Sequence, residues 1–217
     1  MKYKCLVLDH DDTVTKSTPS IHYPSFLEAQ IEMRPHMKPY SLEEFVGYCF
    51  DPGFHSLRDH ILGFTPLEIK RQQEIWKDYT NRIIPELYEG MADIIHSFVK
   101  SGGYICVVSH SEEKIILRDY QEQLGMIPNL TFGWGGDEQK MKPNPYPLKQ
   151  IMKELKLTNQ DLLVVDDLKP GLDMARTCNV DFACAGWSHM VPSIKEYMQS
   201  HSDYYFTKVT ELKELIF

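Results

Sequence analysis

The 217-residue chain has no apolar run near the ~18–20 consecutive residues that a bilayer span requires, which excludes a helical membrane protein. It has no internal repeat and no low-complexity tract, and with 42% apolar and 12% aromatic residues it does not have the composition of a disordered chain. It has no basic run either. Lys+Arg number 23 against 31 Asp+Glu, a formal charge of −8, so nothing tracks a phosphate backbone and no nucleic-acid partner is expected. The five cysteines, Cys5, Cys49, Cys106, Cys178 and Cys184, are an odd set without C-x-x-C spacing, which supports neither a disulfide framework nor a zinc site. The opening MKYKCLVLDHDD meets three aspartates too soon for a signal-peptide core, so a cytoplasmic location is expected.

What is present is a rhythm. Short apolar blocks without alternation end in polar or acidic residues: Lys4–Leu8, Tyr104–Val108, Leu162–Val165 and Asp181–Ala185. That is the pattern of parallel strands covered on both faces. Between them run helical stripes. Glu89–Ser101 lines up Met91, Ile94, Ile95 and Phe98 before Gly102-Gly103, and Tyr146–Leu157 repeats Leu148, Ile151, Met152 and Leu155. The alternation predicts a doubly wound α/β sheet. From about Lys16 to Pro85 the rhythm stops. Helical candidates at Ser25–Met33, Ser41–Phe50, His55–Leu62 and Pro66–Ile83 are separated by Pro35, Pro39, Pro52-Gly53 and Pro66, with no convincing strand. The layout is therefore a core of residues 1–15 and 85–217, split by an all-helical segment at 16–84. That segment holds 8 basic and 9 acidic residues, so the net negative charge belongs almost entirely to the core.

Ligands of an open parallel sheet bind beyond the carboxyl ends of its strands, so the residues after each apolar block matter most. Asp9-His10-Asp11-Asp12-Thr13 follows the first block, Ser109-His110-Ser111 the second and Asp166-Asp167 the third, while Lys142-Pro143-Asn144-Pro145 opens a helix before the last. Carboxylates gathered at one edge repel each other unless a cation sits among them, and an oxygen-only set without His or Cys at ligand spacing suits Mg²⁺. In Asp9-x-Asp11 the first carboxylate can attack phosphorus in line, and the second can protonate the leaving oxygen and then deprotonate water. Lys142 and the Ser109 hydroxyl add a positive charge and a donor for a tetrahedral dianion. Each motif alone has an ordinary structural reading: D-x-D as a turn, Ser109 or Ser111 as a helix cap, Lys-Pro as surface, Asp166-Asp167 as a solvated turn. Four of them in one order at one sheet edge do not.

These residues resemble the haloacid dehalogenase superfamily in all four of its motifs: DHDDTV, CVVSHS, KMKPNP and VVDDLKPG. The resemblance implies a Rossmann-like three-layer α/β/α core with a parallel sheet and an inserted helical cap, of the kind seen in phosphoglycolate phosphatases and β-phosphoglucomutase. It also implies roles. Asp9 would be the nucleophile that becomes an aspartyl-phosphate and Asp11 the general acid/base, with Ser109 and Lys142 holding the phosphoryl group. Asp9, Asp11 through its carbonyl, Asp166 and Asp167 would bind Mg²⁺. Three positions depart from the pattern: Asp12 stands where glycine is usual, His110 where asparagine is common, and Gly171 where a second spaced acid often appears. Dehalogenases and phosphonatases of the superfamily lack an acid at the position of Asp11, which favours phosphomonoester hydrolysis. A phosphoglucomutase-like transfer keeps the same motifs, and a non-catalytic phosphate-binding module would keep the fold.

The expected partner is a small phosphorylated metabolite, in a monomer or weak homodimer. Cationic side chains in the loops Met33–Pro39 and Asp51–Arg58 suit such a substrate, with Arg58 first and His55 and Arg34 behind it; His110, beside the motif-two hydroxyl, is a further candidate. A response-regulator receiver domain also joins paired acids, a hydroxyl and a lysine around Mg²⁺. It has no ~70-residue insertion, and its acid pair does not come late in the chain. A glycosyltransferase D-x-D would leave Lys142 and Asp166-Asp167 unexplained.

Overall fold

The computed structural model describes residues 1–217, apart from the Glu138 side chain. Six strands form one parallel sheet in the order β3-β2-β1-β4-β5-β6: β1 (Cys5–Leu8), β2 (Tyr104–Glu112), β3 (Leu130–Trp134), β4 (Leu162–Asp166), β5 (Asp181–Ala185) and β6 (Tyr204–Phe206). The central strands are apolar throughout because both faces are covered. Period-two alternation sends Leu6, Leu8, Ile105 and Val107 to one layer, against α5 (Met91–Lys100), α6 (Glu113–Leu124) and α10 (Val209–Ile216). Cys5, Val7, Cys106 and Val108 face the other, against α7 (Tyr146–Leu155), α8 (Lys169–Thr177) and α9 (Pro192–His201). The result is the three-layer α/β/α core expected from the sequence.

Between β1 and α5 the chain is helical: α1 (Tyr23–Met33), α2 (Leu42–Phe50), the single turn α3 (Phe54–Ser56) and α4 (Pro66–Arg82), with π-helical turns at Thr18–His22 and Leu57–Ile61. Ser41 with Glu44 and Thr65 with Glu68 form capping boxes that start α2 and α4, each worth about 1 kcal/mol. This insertion has its own apolar centre of Phe26, Phe45, Leu57, Leu62 and Phe64. It is stitched to the core where it leaves and returns, by Lys16 N–H to the Glu86 carbonyl at 2.8 Å and Tyr88 N–H to the Val14 carbonyl at 3.0 Å. It also leans on the sheet's carboxyl edge. Phe50 meets Tyr197 edge-on with ring centroids 5.4 Å apart, and His55 meets Trp134, the last residue of β3, at 6.2 Å.

Three expectations are corrected. Strands β3 and β6 lie outside the four apolar blocks. Ser109, His110 and Ser111 lie within β2, which runs on to Glu112 through an irregularity after Val108, rather than after its end. Helix α6 accordingly starts after Glu112, whose side chain makes no capping hydrogen bond, and neither serine is its N-cap. The anticipated helix His55–Leu62 is the α3 turn followed by the π-helical turn.

Candidate active site

Strand β1 lies between β2 and β4, so its carboxyl end is the point where the order of connection reverses and the sheet opens a crevice. Asp9 is the first residue beyond it. Its backbone N–H donates to the Val165 carbonyl on β4 (2.9 Å), and its Oδ1 accepts from the His10 N–H (2.7 Å), so both its backbone and its carboxylate are held. Lys142, only 5% exposed, bridges two acids: its ammonium lies 2.9 Å from Asp9 Oδ2 and 2.5 Å from Asp166 Oδ2. Burial alone would lower the Lys142 pKa, but the Asp166 and Asp9 charges outweigh it and raise it above the ordinary value. Lys142 is therefore a fixed positive charge.

Three buried acids against one lysine leave negative charge unbalanced. Asp9, Asp166 and Asp167 each offer an oxygen within 4.8 Å of the others. Burial, with Asp9 adding to it, pushes Asp166 up to about 7, and burial followed by the Asp166 charge pushes Asp167 well above the usual carboxylate range. These are the marks of a cluster short of a cation, and its all-oxygen donors suit a hard divalent ion. The two adjacent acids differ. Asp166 uses one oxygen on Lys142 and the other on the Leu168 N–H (2.9 Å), whereas the Asp167 carboxylate has no hydrogen bond among the described residues.

Asp11 sits in a different environment. Its Oδ2 accepts from Ser109 Oγ (3.1 Å) and Ser111 Oγ (2.7 Å), and its Oδ1 lies 2.9 Å from His22 Nε2. The Trp76 indole N–H of α4 donates to His22 Nδ1 at 3.1 Å, which places the ring's own proton on Nε2, toward Asp11. Burial would raise the Asp11 pKa, but His22 prevails and holds it well below the usual range; Asp11 in turn raises His22 against the effect of burial.

Residues 6–185 match the haloacid dehalogenase-like hydrolase family, a span that takes in every group just described. The chain belongs to that family. No curated protein matches it in sequence. Its fold is shared with solved structures of low identity. A predicted phosphoglycolate phosphatase from Haemophilus somnus 129PT is 16% identical, with 99% of this chain and 98% of the other covered at TM-score 0.77. A predicted phosphatase from Clostridium acetobutylicum is 15% identical over 100% and 99% at TM-score 0.77. A CbbY variant from Rhodobacter sphaeroides, solved in complex with xylulose-(1,5)bisphosphate, is 15% identical over 97% and 96% at TM-score 0.75.

The departures from this hydrolase family's pattern have physical readings. Asp12 occupies the left-handed region at φ 54°, where glycine is at ease and aspartate is among the few other residues tolerated. Its carboxylate is then used, accepting from the Thr18 N–H at 3.1 Å. Gly171 faces Asp166, and a Cβ there would collide with the Asp166 carboxyl group. The acid absent from position 171 and the carboxylate present at 166 therefore contend for the same space.

The specificity candidates divide. His110, next to Ser109 in sequence, donates its Nε2–H to the Lys142 carbonyl (2.8 Å). His55 stands over Trp134 at the edge of the sheet. Arg58 is engaged with Asp59 at 2.5 and 2.9 Å. Arg34 is absorbed by the helical insertion itself: its guanidinium donates to Glu68 and to the carbonyls of Met33, Leu62 and Gly63, and stacks 4.9 Å from the Phe64 ring. Sequence reasoning missed His22, Trp76 and the Ser111 contact to Asp11. The four histidines of an otherwise near-neutral insertion were the available signal for His22.

Proposed function

We propose that this hydrolase is a phosphomonoesterase that takes a small phosphorylated metabolite through an aspartyl-phosphate on Asp9, with Mg²⁺ as its metal. The observation that carries the reading is the Asp9 carboxylate, held by Lys142 and the His10 N–H at the sheet's switch point, two residues before a second acid in a separate polar pocket. A bound divalent cation would neutralise phosphoryl charge and the repulsion among Asp9, Asp166 and Asp167. Asp167, whose oxygens are unengaged, suits a ligand; Asp166 suits the support of Lys142 as well as the metal. The Asp11 carbonyl completes the proposed metal set.

Attack by an Asp9 oxygen forms the new O–P bond as the ester O–P bond breaks, and Lys142 and the Ser109 hydroxyl stabilise the charge spread over the phosphoryl oxygens. The departing oxygen takes a proton from Asp11, which the negative charge of the incoming phosphoryl group brings to its protonated form beside His22. In the second half Asp11, ionised again, accepts a proton from water, which attacks phosphorus, releases phosphate and restores Asp9. The helical segment acts as a cap over this chemistry, and His55, Arg58 and His110 line the approach of the leaving group. Arg34 belongs to the cap's internal packing rather than to its substrate face.

Release of phosphate from p-nitrophenyl phosphate with Mg²⁺, its loss with a chelator, and its loss in Asp9→Asn test the reading. Turnover that survives in Asp9→Asn, or in excess chelator, would overturn it. A panel of phosphorylated metabolites compared by kcat/KM then ranks substrates.

A further inference from the structure

One buried polar chain plays no part in the chemistry just described. His10 stands between Asp9 and Asp11, yet its ring turns away from them into the core and is 1% exposed. Its Nε2 lies 3.1 Å from Asp119 Oδ2 on α6, and Asp119 is itself 1% exposed. A carboxylate only accepts, so Nε2 carries the proton; Nδ1 has no partner among the described residues, and Asp119 alone orients the ring by hydrogen bonding. The other Asp119 oxygen takes a forked contact from Arg118, Nε at 2.8 Å and Nη2 at 2.6 Å. Arg118 reaches further. Its Nη1 donates to the Thr80 carbonyl (2.6 Å) and its Nη2 to the Ile83 carbonyl (3.0 Å).

Those two carbonyls belong to the last turn and cap of α4, where the helical insertion hands the chain back to the core. The last carbonyls of a helix lack partners within it and carry the negative end of its dipole, so a guanidinium is their natural complement. At the far end, His10 governs the catalytic turn. Its carbonyl accepts from the N–H groups of Val14 (3.1 Å) and Thr15 (3.0 Å) and from Thr15 Oγ1 (3.1 Å), while its own N–H holds Asp9 Oδ1. Buried as they are, His10 and Asp119 cost free energy to desolvate, and their mutual hydrogen bond together with the fork of Arg118, a quarter exposed, offsets that cost. The planar fork of Arg118 fixes direction as well as charge.

We propose that Arg118, Asp119 and His10 form a positioning relay that sets the catalytic turn 9–15 according to where the end of α4 lies, so that the seating of the helical insertion and the placement of Asp9 and Asp11 are one event. None of the three touches substrate. The inference rests on the functional reading above for the roles of Asp9 and Asp11, but its geometry does not.

The variant of choice is Arg118→Gln, because this side chain is the outermost of the three and its loss leaves the core intact. With p-nitrophenyl phosphate and Mg²⁺, kcat falls about tenfold while KM stays within about twofold, since the groups that bind phosphate remain and only their alignment is lost. Amide hydrogen exchange rises in residues 9–15 as well as near 80–83. His10→Phe, which keeps a ring in the same space, lowers kcat likewise, and Arg118→Gln/His10→Phe is no worse than the more damaged single variant, because both cut the same chain. Arg118→Lys keeps the charge without the fork, shows a smaller loss, and serves the same measurements if Arg118→Gln fails to fold. Unchanged kcat, exchange confined to 80–83, or additive losses in the double variant overturn the relay. Asp9→Asn run alongside separates the two failures: surviving turnover there overturns the functional reading, and the exchange data still decide the relay.

Discussion

The crowded acids make the stability of the metal-free protein depend on pH in an unusual direction. Asp166 is pushed from 3.8 up to about 7 by burial and by its neighbour Asp9, and Asp167 is raised well above the usual carboxylate range by burial and by the Asp166 charge. A carboxyl whose pKa is raised by folding keeps its proton more tightly in the folded chain than in the unfolded one. Its contribution is therefore largest below about pH 4 and is lost as pH climbs toward 7. For Asp166 the gap is about three pH units at about 1.4 kcal/mol each, a ceiling of about 4 kcal/mol. A divalent cation replaces the proton and returns that stability where the carboxylates are ionised. The assay is thermal unfolding with millimolar Mg²⁺ and with chelator, at about pH 5 and about pH 8. At about 2–4 °C per kcal/mol for a chain of this size, the metal-dependent rise in Tm is expected to grow between the two by up to about 8–16 °C. Asp167→Asn should remove most of the difference. A metal shift as large at the lower pH, or one indifferent to Asp167→Asn, would refute the reasoning.

Other outcomes follow from particular contacts. Gly171→Ala drives a methyl group into the Asp166 carboxyl, so kcat should drop at least about tenfold with about 1–3 kcal/mol of destabilisation in urea unfolding, whereas the same change in an Asp166→Gly background should cost little further activity. Lys142→Met leaves Asp9 and Asp166 facing each other unbridged; phosphate release should fall by about 10³ or more, and added salt should not restore it. Arg34→Ala should lower Tm by several degrees through the loss of Glu68 and three carbonyl contacts while leaving KM for an aryl phosphate unchanged; a KM effect without a Tm effect would return Arg34 to the substrate face. His22→Ala frees Asp11 from its partner, and kcat should fall more than kcat/KM for substrates with poor leaving groups, read from a series of phosphate esters.

The core was legible because burial on both faces writes strands as unbroken apolar runs, and β1, β2, β4 and β5 are all central or flanked. The two strands overlooked, LTFGW and YYF, are the two edges of the sheet, half-buried, one interrupted by glycine and the other only three residues long. The motif residues were legible through their order at the strand ends. Their partners were not, because His22, Ser111 and Asp119 meet the turn after β1 from 11 to 109 residues away. Asp119 left one trace: it is an acid on the buried stripe of α6 that also carries Ile115, Ile116, Tyr120 and Leu124. An ionisable group on an apolar face asks for a partner, and His10 was the polar residue inside an otherwise acidic turn.

The space shared by residues 166 and 171 also ties the two positions together. With Asp166 in place only glycine fits at 171, because any Cβ there meets the Asp166 carboxyl group. A side chain at 171 therefore asks for a residue smaller than aspartate at 166, so the two positions are expected to tolerate exchange as a pair and not singly.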